Sequence, residues 1–277
     1  DNLWRYWLRL AEHYASLGFS GFRCDAAYKV PPALWQFLFQ HLKQSHPGAL
    51  FFAESLGCPF AEILQLARAG FDFIFNSSKW WDFTAPWCLE QYRQTAQFAP
   101  SISFAESHDT DRLAAELQGD KDAVKQRYAF SALFSTGVMM PIGFEYGFQR
   151  RLNVVDMRSQ DWEPPQWDLS DFIAQVNTLK AAHRVFNEDG PIDPLDVGNP
   201  RICSFVKWSR DRSERALILL NKDRRQRQSC NLARVGYVMS GVRRVQDLSP
   251  EEKLEHSPDF QLCQLKPSGI NVIYATR

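Results

Sequence analysis

An arginine and an aspartate, Arg23 and Asp25, stand two residues apart near the end of an apolar run at residues 19–25. Because strand side chains alternate between two faces, these two share a face. An unpaired charge in an apolar run is costly, and an arginine neighbour favours the ionised form of a carboxylate. Asp25 could therefore act as a nucleophile. Taken alone, the pair fits a structural ion pair at a strand end better than a catalytic one.

Two further acidic residues also follow apolar runs. Glu54 comes 29 residues after Asp25, and Asp109, preceded by His108, comes 55 residues after Glu54. One strand–helix unit is about 30 residues long, so Glu54 is predicted on the strand next to that of Asp25 and Asp109 two units further on. In a closed parallel barrel, all three could point into one pocket at the carboxyl ends of the strands.

Three carboxylates in one pocket suit glycoside chemistry. One stays ionised and attacks the anomeric carbon, and another is held protonated and donates to the leaving oxygen. Apolar neighbours and the charge of Asp25 would favour the protonated form of Glu54, while Asp109 with His108 could bind sugar hydroxyls and stabilise positive charge. Singly, Glu54 could be an ordinary strand-end residue and Asp109 a helix cap. Together, at matched strand ends, the three favour the catalytic interpretation.

The elements that must position these acids alternate along the chain. Apolar spacing predicts strands at residues 19–25, 50–54, 71–76, 102–105 and 138–142, and helices at residues 2–16, 33–44, 60–68, 87–97, 121–135 and 169–183. This rhythm fits a doubly wound parallel sheet or a (β/α)8 barrel. No glycine-rich phosphate loop follows a strand, which argues against a nucleotide-dependent α/β enzyme.

The pattern changes after about Pro191. Short strands are predicted at residues 203–208, 216–220, 242–248 and 270–274, separated by polar turns. Residues 1–195 are therefore predicted to form the α/β part and residues 196–277 a small all-β domain, named the β-domain below. The charged run at residues 222–227 is predicted to be a solvated hairpin loop.

Composition narrows the classes of partner. The formal net charge of the 277 residues is zero, and no apolar run is long enough to span a membrane, so neither a nucleic-acid nor a membrane partner is predicted. Six cysteines stand singly at positions 24, 58, 88, 203, 230 and 263. Their spacing predicts neither a metal site nor a disulfide framework, so we expect free buried thiols in a reducing, cytoplasmic compartment.

Four motifs carry a family resemblance. Residues 21–27 (GFRCDAA) resemble the nucleophile motif of the α-amylase family, glycoside hydrolase family 13, and residues 52–54 (FAE) resemble its acid/base strand. Residues 107–112 (SHDTDR) resemble its fourth motif, and residues 141–147 (PIGFEYG) resemble the end of its eighth strand. The β-domain is similar to the C-terminal domain that usually follows that barrel. The resemblance implies strands four to eight of a partial (β/α)8 TIM barrel followed by a small β-sandwich.

The resemblance also implies a chemistry. Asp25 would be the nucleophile, Glu54 the acid/base and Asp109 the transition-state stabiliser of a retaining double displacement on α-linked glucosides. The substrate would be an α-glucan or oligosaccharide, and no cofactor is implied. Arg23 would orient Asp25 and His108 would bind the sugar. Further substrate contacts would come from Arg112, from Tyr28 and Lys29 on the acceptor side, and from Trp80 and Trp81 by stacking, although core packing explains a tryptophan equally well.

Some family features are not matched. The first three strands and the first motif have no counterpart here, so we expect this chain to be the C-terminal part of a longer protein, with the N-terminal half supplied in cis or in trans. The family's calcium ligands lie largely in that half, and no metal is predicted. Tyr28 and Lys29 stand where many α-amylases carry a lysine and then a histidine. A hydrolase, a transglycosylase resembling the glucan:maltose-phosphate maltosyltransferases, and a non-catalytic glucan-binding remnant all stay open.

Overall fold

A computed structural model describes residues 2–254 and 262–277 of the chain, except for the side chain of Asn2. The chain divides into two compact units. The first comprises the chain up to Ser77 together with Trp87–Ile102, and the second comprises Ser78–Pro86 together with Ser103–Arg277. Each unit is described by itself below.

The first unit alternates helices and strands as predicted. Its elements are α1 (Asn2–Ser16), β1 (Gly21–Cys24), α2 (Pro32–Ser45), β2 (Leu50–Ala53), α3 (Phe60–Ala69), β3 (Phe73–Phe75), α4 (Trp87–Thr95) and the first half of β4 (Ser101–Phe104). The strands pair in parallel in the order β1-β2-β3-β4, with Cys24 opposite Ala53 and Phe75 opposite Ile102. Strands β1, β2 and β3 are shorter than predicted, because polar and turn-forming residues leave the ladder at their ends, whereas β4 has the predicted length and begins one residue earlier.

Apolar packing explains why these elements form. Trp4, Leu8, Ala11 and Ala15 recur at helical spacing on α1 and pack towards the core of this unit. In that core Phe39 of α2 lies against Phe51 of β2, with ring centroids 4.4 Å apart. Helix α2 begins at Pro32, where the missing proline N–H costs nothing.

A half-buried ion pair joins the same layers. Lys43 of α2 bonds Asp72, with Nζ 2.6 Å from Oδ1, and the other oxygen of Asp72 accepts the main-chain N–H of Phe51 at 2.8 Å. The carboxylate of Asp72, just before β3, thus joins α2 to the start of β2.

The second unit includes the last residues of β4 and contains a mostly buried helix, α6. Before its antiparallel sheets it has the helices α5 (Leu113–Glu116), α6 (Lys121–Phe134) and α7 (Ser170–Ala182) and the strand β5 (Gly137–Met139). Asp120 caps α6 by accepting the N–H of Ala123 at 3.0 Å. Strand β5 follows β4 in the strand order and ends before the predicted residue 142, because Pro141 cannot continue a ladder.

Two buried lysines hold the carboxyl end of α6. Lys180 Nζ donates to the carbonyls of Ala132, Ser135 and Phe186, and Lys207 Nζ donates to that of Phe134 at 2.8 Å. The last carbonyls of a helix lack partners within it, so ammonium groups suit this position. Burial lowers the pKa of Lys180 to about 7 and that of Lys207 to about 8.

Antiparallel sheets form the rest of the second unit. The strands are β6 (Ile192–Pro194), β7 (Ile202–Trp208), β8 (Glu214–Asn221), β9 (Gln228–Asn231), β10 (Arg244–Asp247), β11 (Leu262–Leu265) and β12 (Ile270–Thr276). Five of them pair in the order β10-β12-β8-β7-β6, and β11 pairs with β9. All four predicted strands are present, while β6, β9 and β11 are additional. The five-stranded sheet begins at Ile192, and a domain boundary at residue 196 stays a prediction.

Candidate active site

Arg23 and Asp25 form the predicted ion pair at the end of β1. Arg23 Nη1 lies 2.8 Å from Asp25 Oδ1, while Cys24 between them is buried on the opposite face. Burial raises the pKa of the Cys24 thiol to about 12. The Asp25 side chain is 75% exposed, and exposed pairs contribute little to stability. The pair therefore orients an accessible carboxylate rather than holding the fold together.

The chain turns sharply directly after Asp25. Ala26 adopts the left-handed conformation with φ 40° and ψ 45°, and a short 3-10 helix, Ala27–Lys29, follows. Residues with a β-carbon rarely adopt this conformation, which costs roughly 1–2 kcal/mol. Strain of this kind persists only where surrounding contacts enforce it, so the partners of Ala26 matter.

Glu54 supplies that contact. Its Oε2 accepts the N–H of Ala26 at 2.7 Å, and its Oε1 accepts the N–H of Leu56 at 2.7 Å. Main-chain bonds run alongside: Glu54 N–H donates to Cys24 O at 3.0 Å, and Ala27 N–H donates to Glu54 O at 3.1 Å. The buried carboxylate of Glu54 thus ties the ends of β1 and β2 together, beside the predicted nucleophile.

Tyr28 and Lys29, both predicted on the acceptor side, lie on the 3-10 helix that follows this turn. Lys29 is exposed, and its Nζ lies 5.1 Å from the centre of the half-buried Tyr28 ring. Burial, and then the negative charge of Glu54, raise the pKa of the Tyr28 hydroxyl. The structure therefore places Tyr28 in the electrostatic neighbourhood of Glu54.

A cavity of about 520 Å³ opens beside Asp25 within the first unit. Side chains of α1, β1 and α2 line it, among them Trp7, Tyr14 and Trp35, together with Arg23 and Asp25. Its lining is mostly apolar, with the Arg23–Asp25 pair as its charged part. Asp25 therefore lies at the border of a space large enough for a small ligand.

His108 and Asp109 lie in the second unit, on the loop after β4. His108 Nε2 is 3.0 Å from Asp109 Oδ2. Asp109 N–H donates to Ser107 Oγ at 3.2 Å, and Arg151 Nη2 donates to Asp109 O at 2.6 Å. Helix α5 begins only at Leu113, so Asp109 is not its N-cap. The alternative of a helix-capping aspartate is therefore wrong.

A buried ion pair that sequence reasoning missed closes this loop. Arg112 Nη1 lies 2.7 Å from Glu106 Oε1, and each residue is only 1% exposed. Glu106 Oε2 accepts the N–H of Leu113, while Arg112 also donates to the carbonyls of Ile142 and Arg150. Burial raises the pKa of Glu106 against the lowering effects of these partners.

Arg112 is accordingly placed differently from the predicted sugar contact. Its guanidinium is buried and hydrogen-bonded to protein groups through all three nitrogens. It holds the loop that carries His108 and Asp109 rather than facing a ligand. The opposite charges on either side of the SHDTD segment, at positions 106 and 112, were the signal in the sequence that could have revealed this pair.

The two predicted stacking tryptophans have different surroundings. Trp81 is 2% exposed and packs against Phe83, Phe130 and Phe134, so it belongs to the core of the second unit. Trp80 is 48% exposed. Stacking on a sugar is therefore excluded for Trp81 by its packing in this structure, and it stays a prediction for Trp80.

Neither a metal-binding cluster nor a membrane-spanning helix is found in the part of the chain that the structure describes. No group of three or more His, Cys, Asp and Glu side chains in residues 2–254 and 262–277 is arranged to hold a metal ion. Among the helices of that described part, none combines the length and the apolar character needed to cross a membrane.

Comparison with known proteins gives relatives of limited identity. No protein-family profile matches the chain. The α-1,4-glucan:maltose-1-phosphate maltosyltransferase of Burkholderia pseudomallei is 29% identical over 236 residues, covering 80% of this chain and 21% of the relative. That of Methylacidiphilum infernorum is 24% identical over 80% of this chain and 35% of the relative. A cyclomaltodextrinase of a Bacillus species is 24% identical over 79% of this chain and 42% of the relative. The chain thus spans less than half the length of these relatives.

Solved structures share the fold. An α-amylase of Geobacillus thermoleovorans, complexed with acarbose, matches all of this chain and 64% of its own with a TM-score of 0.77 at 13% identity. An α-amylase of H. orenii matches all of this chain and 65% of its own with a TM-score of 0.74. These neighbours and the parallel strand order support a partial barrel followed by a β-domain, while the numbering of its strands as four to eight stays a prediction.

Proposed function

Because this chain belongs to the α-amylase family, glycoside hydrolase family 13, and corresponds to its C-terminal part, we propose that it carries the catalytic carboxylates of a retaining enzyme that acts on α-glucans. The observation that carries this proposal is the hydrogen bond from Ala26 N–H to Glu54 Oε2. It fixes two carboxylates, Asp25 and Glu54, at the ends of neighbouring parallel strands. Acids at strand ends are the usual source of catalytic groups in such barrels.

The proposed reaction is a double displacement. Asp25 attacks the anomeric carbon while the bond to the leaving oxygen breaks and Glu54 gives that oxygen a proton. The resulting ester between the sugar and Asp25 is then attacked by an acceptor hydroxyl, whose proton returns to Glu54, and the Asp25 carboxylate is released. Arg23, bonded to one oxygen of Asp25, leaves the other oxygen to attack.

Glu54 needs a local rearrangement to act in this way. Each of its oxygens accepts one main-chain N–H in the structure, from Ala26 and from Leu56. Each oxygen keeps a second lone pair, so one of them can carry the proton and donate it to the glycosidic oxygen once the side chain is aligned with the substrate. Catalytic hydrogen bonds commonly form only when substrate binds, and a small shift of the strained turn at Ala26 is the natural way to align this donor.

The remaining roles follow the family resemblance. Asp109 would stabilise the positive charge that develops on the sugar, and His108 would bind its hydroxyls. Tyr28 and Lys29 would face the acceptor, and Trp80 would stack on a glucosyl ring. The Glu106–Arg112 pair acts on Asp109 by holding its loop, so both are positioning residues.

Transfer to a glucan acceptor is the finer proposal. The maltosyltransferase names of the relatives favour transfer of a maltosyl group from a phosphorylated donor to an α-1,4-glucan. The cyclomaltodextrinase relative favours hydrolysis as the second candidate. In the second displacement the two differ in the acceptor, a sugar hydroxyl or water, so the ratio of transfer to hydrolysis products from one donor distinguishes them.

The assignment is tested with Asp25→Asn in the complete protein that contains this chain. We expect glycosyl transfer to fall by at least about 10³-fold with substrate binding kept, because the amide cannot form the ester. Asp171→Asn, on the exposed face of α7, is the matched control and should retain activity. Undiminished turnover, or a trapped glycosyl adduct mapped to a residue other than Asp25, would refute the assignment. Glucan binding without turnover by the unsubstituted protein would instead favour a binding remnant.

A longer protein is part of the proposal. We expect the purified 277-residue chain to lack turnover, because the resemblance assigns the first three barrel strands to a separate half in cis or in trans. Turnover by this chain alone would contradict that expectation. Recovery of activity on adding the N-terminal half as a second polypeptide would support it.

A further inference from the structure

Two cysteines of the β-domain face each other across the two-stranded sheet. Cys230 on β9 and Cys263 on β11 are register partners in the antiparallel ladder. Their sulfur atoms lie 2.7 Å apart, and each residue is only 3% exposed. The two are 33 positions apart in the sequence, so the fold rather than the local chain brings them together.

The register alone suits a covalent bond. Directly opposite residues of an antiparallel pair have β-carbons about 4.5–5.5 Å apart, close to the separation that a disulfide requires. Both side chains point into one apolar cluster, with Leu232 and Leu265 among its members. The two strands therefore hold the sulfur atoms in contact, and a bond needs only a small further approach of the two side chains.

We propose that Cys230 and Cys263 are a modification site at which a reversible disulfide forms by exchange with a small-molecule disulfide such as glutathione disulfide. One cysteine thiolate attacks the small disulfide and releases one small thiol, and the second cysteine then attacks the mixed disulfide and releases the other. The two protein thiols lose two electrons and two protons, and these convert the small disulfide into two thiols. The bond closes a loop that contains β10 and the 3-10 helix Leu232–Met239.

Access to the buried sulfurs comes from opening of the β9–β11 ribbon. This ribbon has only four residues in each strand, and Leu262, its first residue in β11, is exposed. Short, peripheral elements open at lower free energy than the core. Closing the loop stabilises the folded state because the unfolded chain loses freedom. The redox state of this pair thus sets the stability of the β-domain.

The test uses the native full chain. It is incubated with glutathione disulfide or with dithiothreitol and then unfolded in the presence of a maleimide. The mass of the intact chain is measured by mass spectrometry. We expect six alkylated thiols after dithiothreitol and four after glutathione disulfide, with peptide mapping giving a Cys230–Cys263 link. Six alkylated thiols in both samples, stable glutathione adducts in place of the link, or a link to another cysteine would overturn the proposal.

Variants add a second readout. The oxidised chain should unfold at a temperature on the order of 10 °C higher than the reduced chain. Cys230→Ser should abolish both this difference and the loss of two thiols, whereas Cys203→Ser, on β7, should keep both. If Cys230→Ser does not fold, the peptide map of the unsubstituted chain still decides. The same oxidation in urea should scramble the links, which would show that the native register directs the bond.

Discussion

The carboxylate of Glu54 lies 2.7 Å from the main-chain nitrogen of Ala26 and accepts its hydrogen bond. This contact joins the turn after β1 to the end of β2, and it pairs a side chain proposed for proton transfer with the residue that follows the proposed nucleophile. The same side chain therefore holds the turn and is the one proposed for proton transfer. For variants of Glu54, the free energy of unfolding reports on the hydrogen bond to the turn and the turnover rate reports on proton transfer, so both must be measured.

Glu54→Gln tests the structural part of this contact. The glutamine offers one acceptor oxygen and one donor amide, so one of the two main-chain N–H groups, of Ala26 or of Leu56, is left facing a donor. We expect the free energy of unfolding to fall by about 1–3 kcal/mol. Asp25→Asn is the control, since its exposed side chain should change stability by less than about 1 kcal/mol. Urea denaturation compares the two variants, and equal losses of stability would contradict the structural role of the hydrogen bonds that Glu54 accepts.

Ala26→Gly tests the strain in the turn. Glycine relieves a left-handed cost of about 1 kcal/mol, and its extra freedom in the unfolded chain removes about 0.5–1 kcal/mol of that gain. We expect stability to be unchanged or slightly higher. In the interior of α7, on an exposed face, Ala174→Gly should cost about 1 kcal/mol. Similar losses at both positions in thermal unfolding would show that the turn is not strained.

The buried Glu106–Arg112 pair calls for a double-mutant cycle. Glu106→Gln and Arg112→Met should each cost about 3 kcal/mol or more, because each leaves a buried partner uncompensated. The double variant should lose less than the sum, by about 1–3 kcal/mol. Arg158→Met, in the exposed pair with Asp156, should cost under about 1 kcal/mol. Additive losses from Glu106 and Arg112 would mean that the two residues do not act as a unit.

Lys207 gives a pH dependence whose sign follows from burial. Its pKa is about 8 in the folded chain and about 10.4 in an unfolded one. Between these values the unfolded chain binds more protons, so the contribution of Lys207 to stability rises with pH. Relative to Lys207→Met, the unsubstituted chain should gain about 2 kcal/mol between pH 7.5 and pH 10 in urea denaturation. Lys121→Met, at an exposed position, should show no such difference, and parallel profiles for Lys207→Met would overturn the prediction.

The sequence predicted those parts of the fold whose signal is periodic. Long amphipathic helices such as α1 and α2 and the apolar strand cores were found within a few residues. Strands β9 and β11 were not predicted, because four-residue segments such as Gln228–Asn231 carry mostly polar side chains and pair only with each other. Their stability comes from contacts far away in the sequence, which no local pattern reports.

Within the candidate site, the sequence predicted which side chains lie next to each other on a strand, but not whether a side chain is buried or exposed. The Arg23–Asp25 pair followed from alternation along a strand. The turn at Ala26 was not predictable, because alanine does not favour a left-handed conformation and Glu54, which contacts the turn, lies 28 positions away in the sequence. Trp80 and Trp81 are neighbours of the same type, yet the chain buries one and exposes the other. Which side chain faces solvent depends on the packing of distant residues such as Phe130.

The link between Glu54 and the turn after Asp25 has a consequence for redesign of this protein. A substitution that reshapes the turn at Ala26 also moves the acceptor oxygen of Glu54, and a change at Glu54 releases the turn. The positions of the two groups proposed for attack and for proton transfer, Asp25 and Glu54, therefore depend on each other. Selection for a new acceptor or donor would have to alter both together, which makes the segment from Cys24 to Leu56 a single module for engineering.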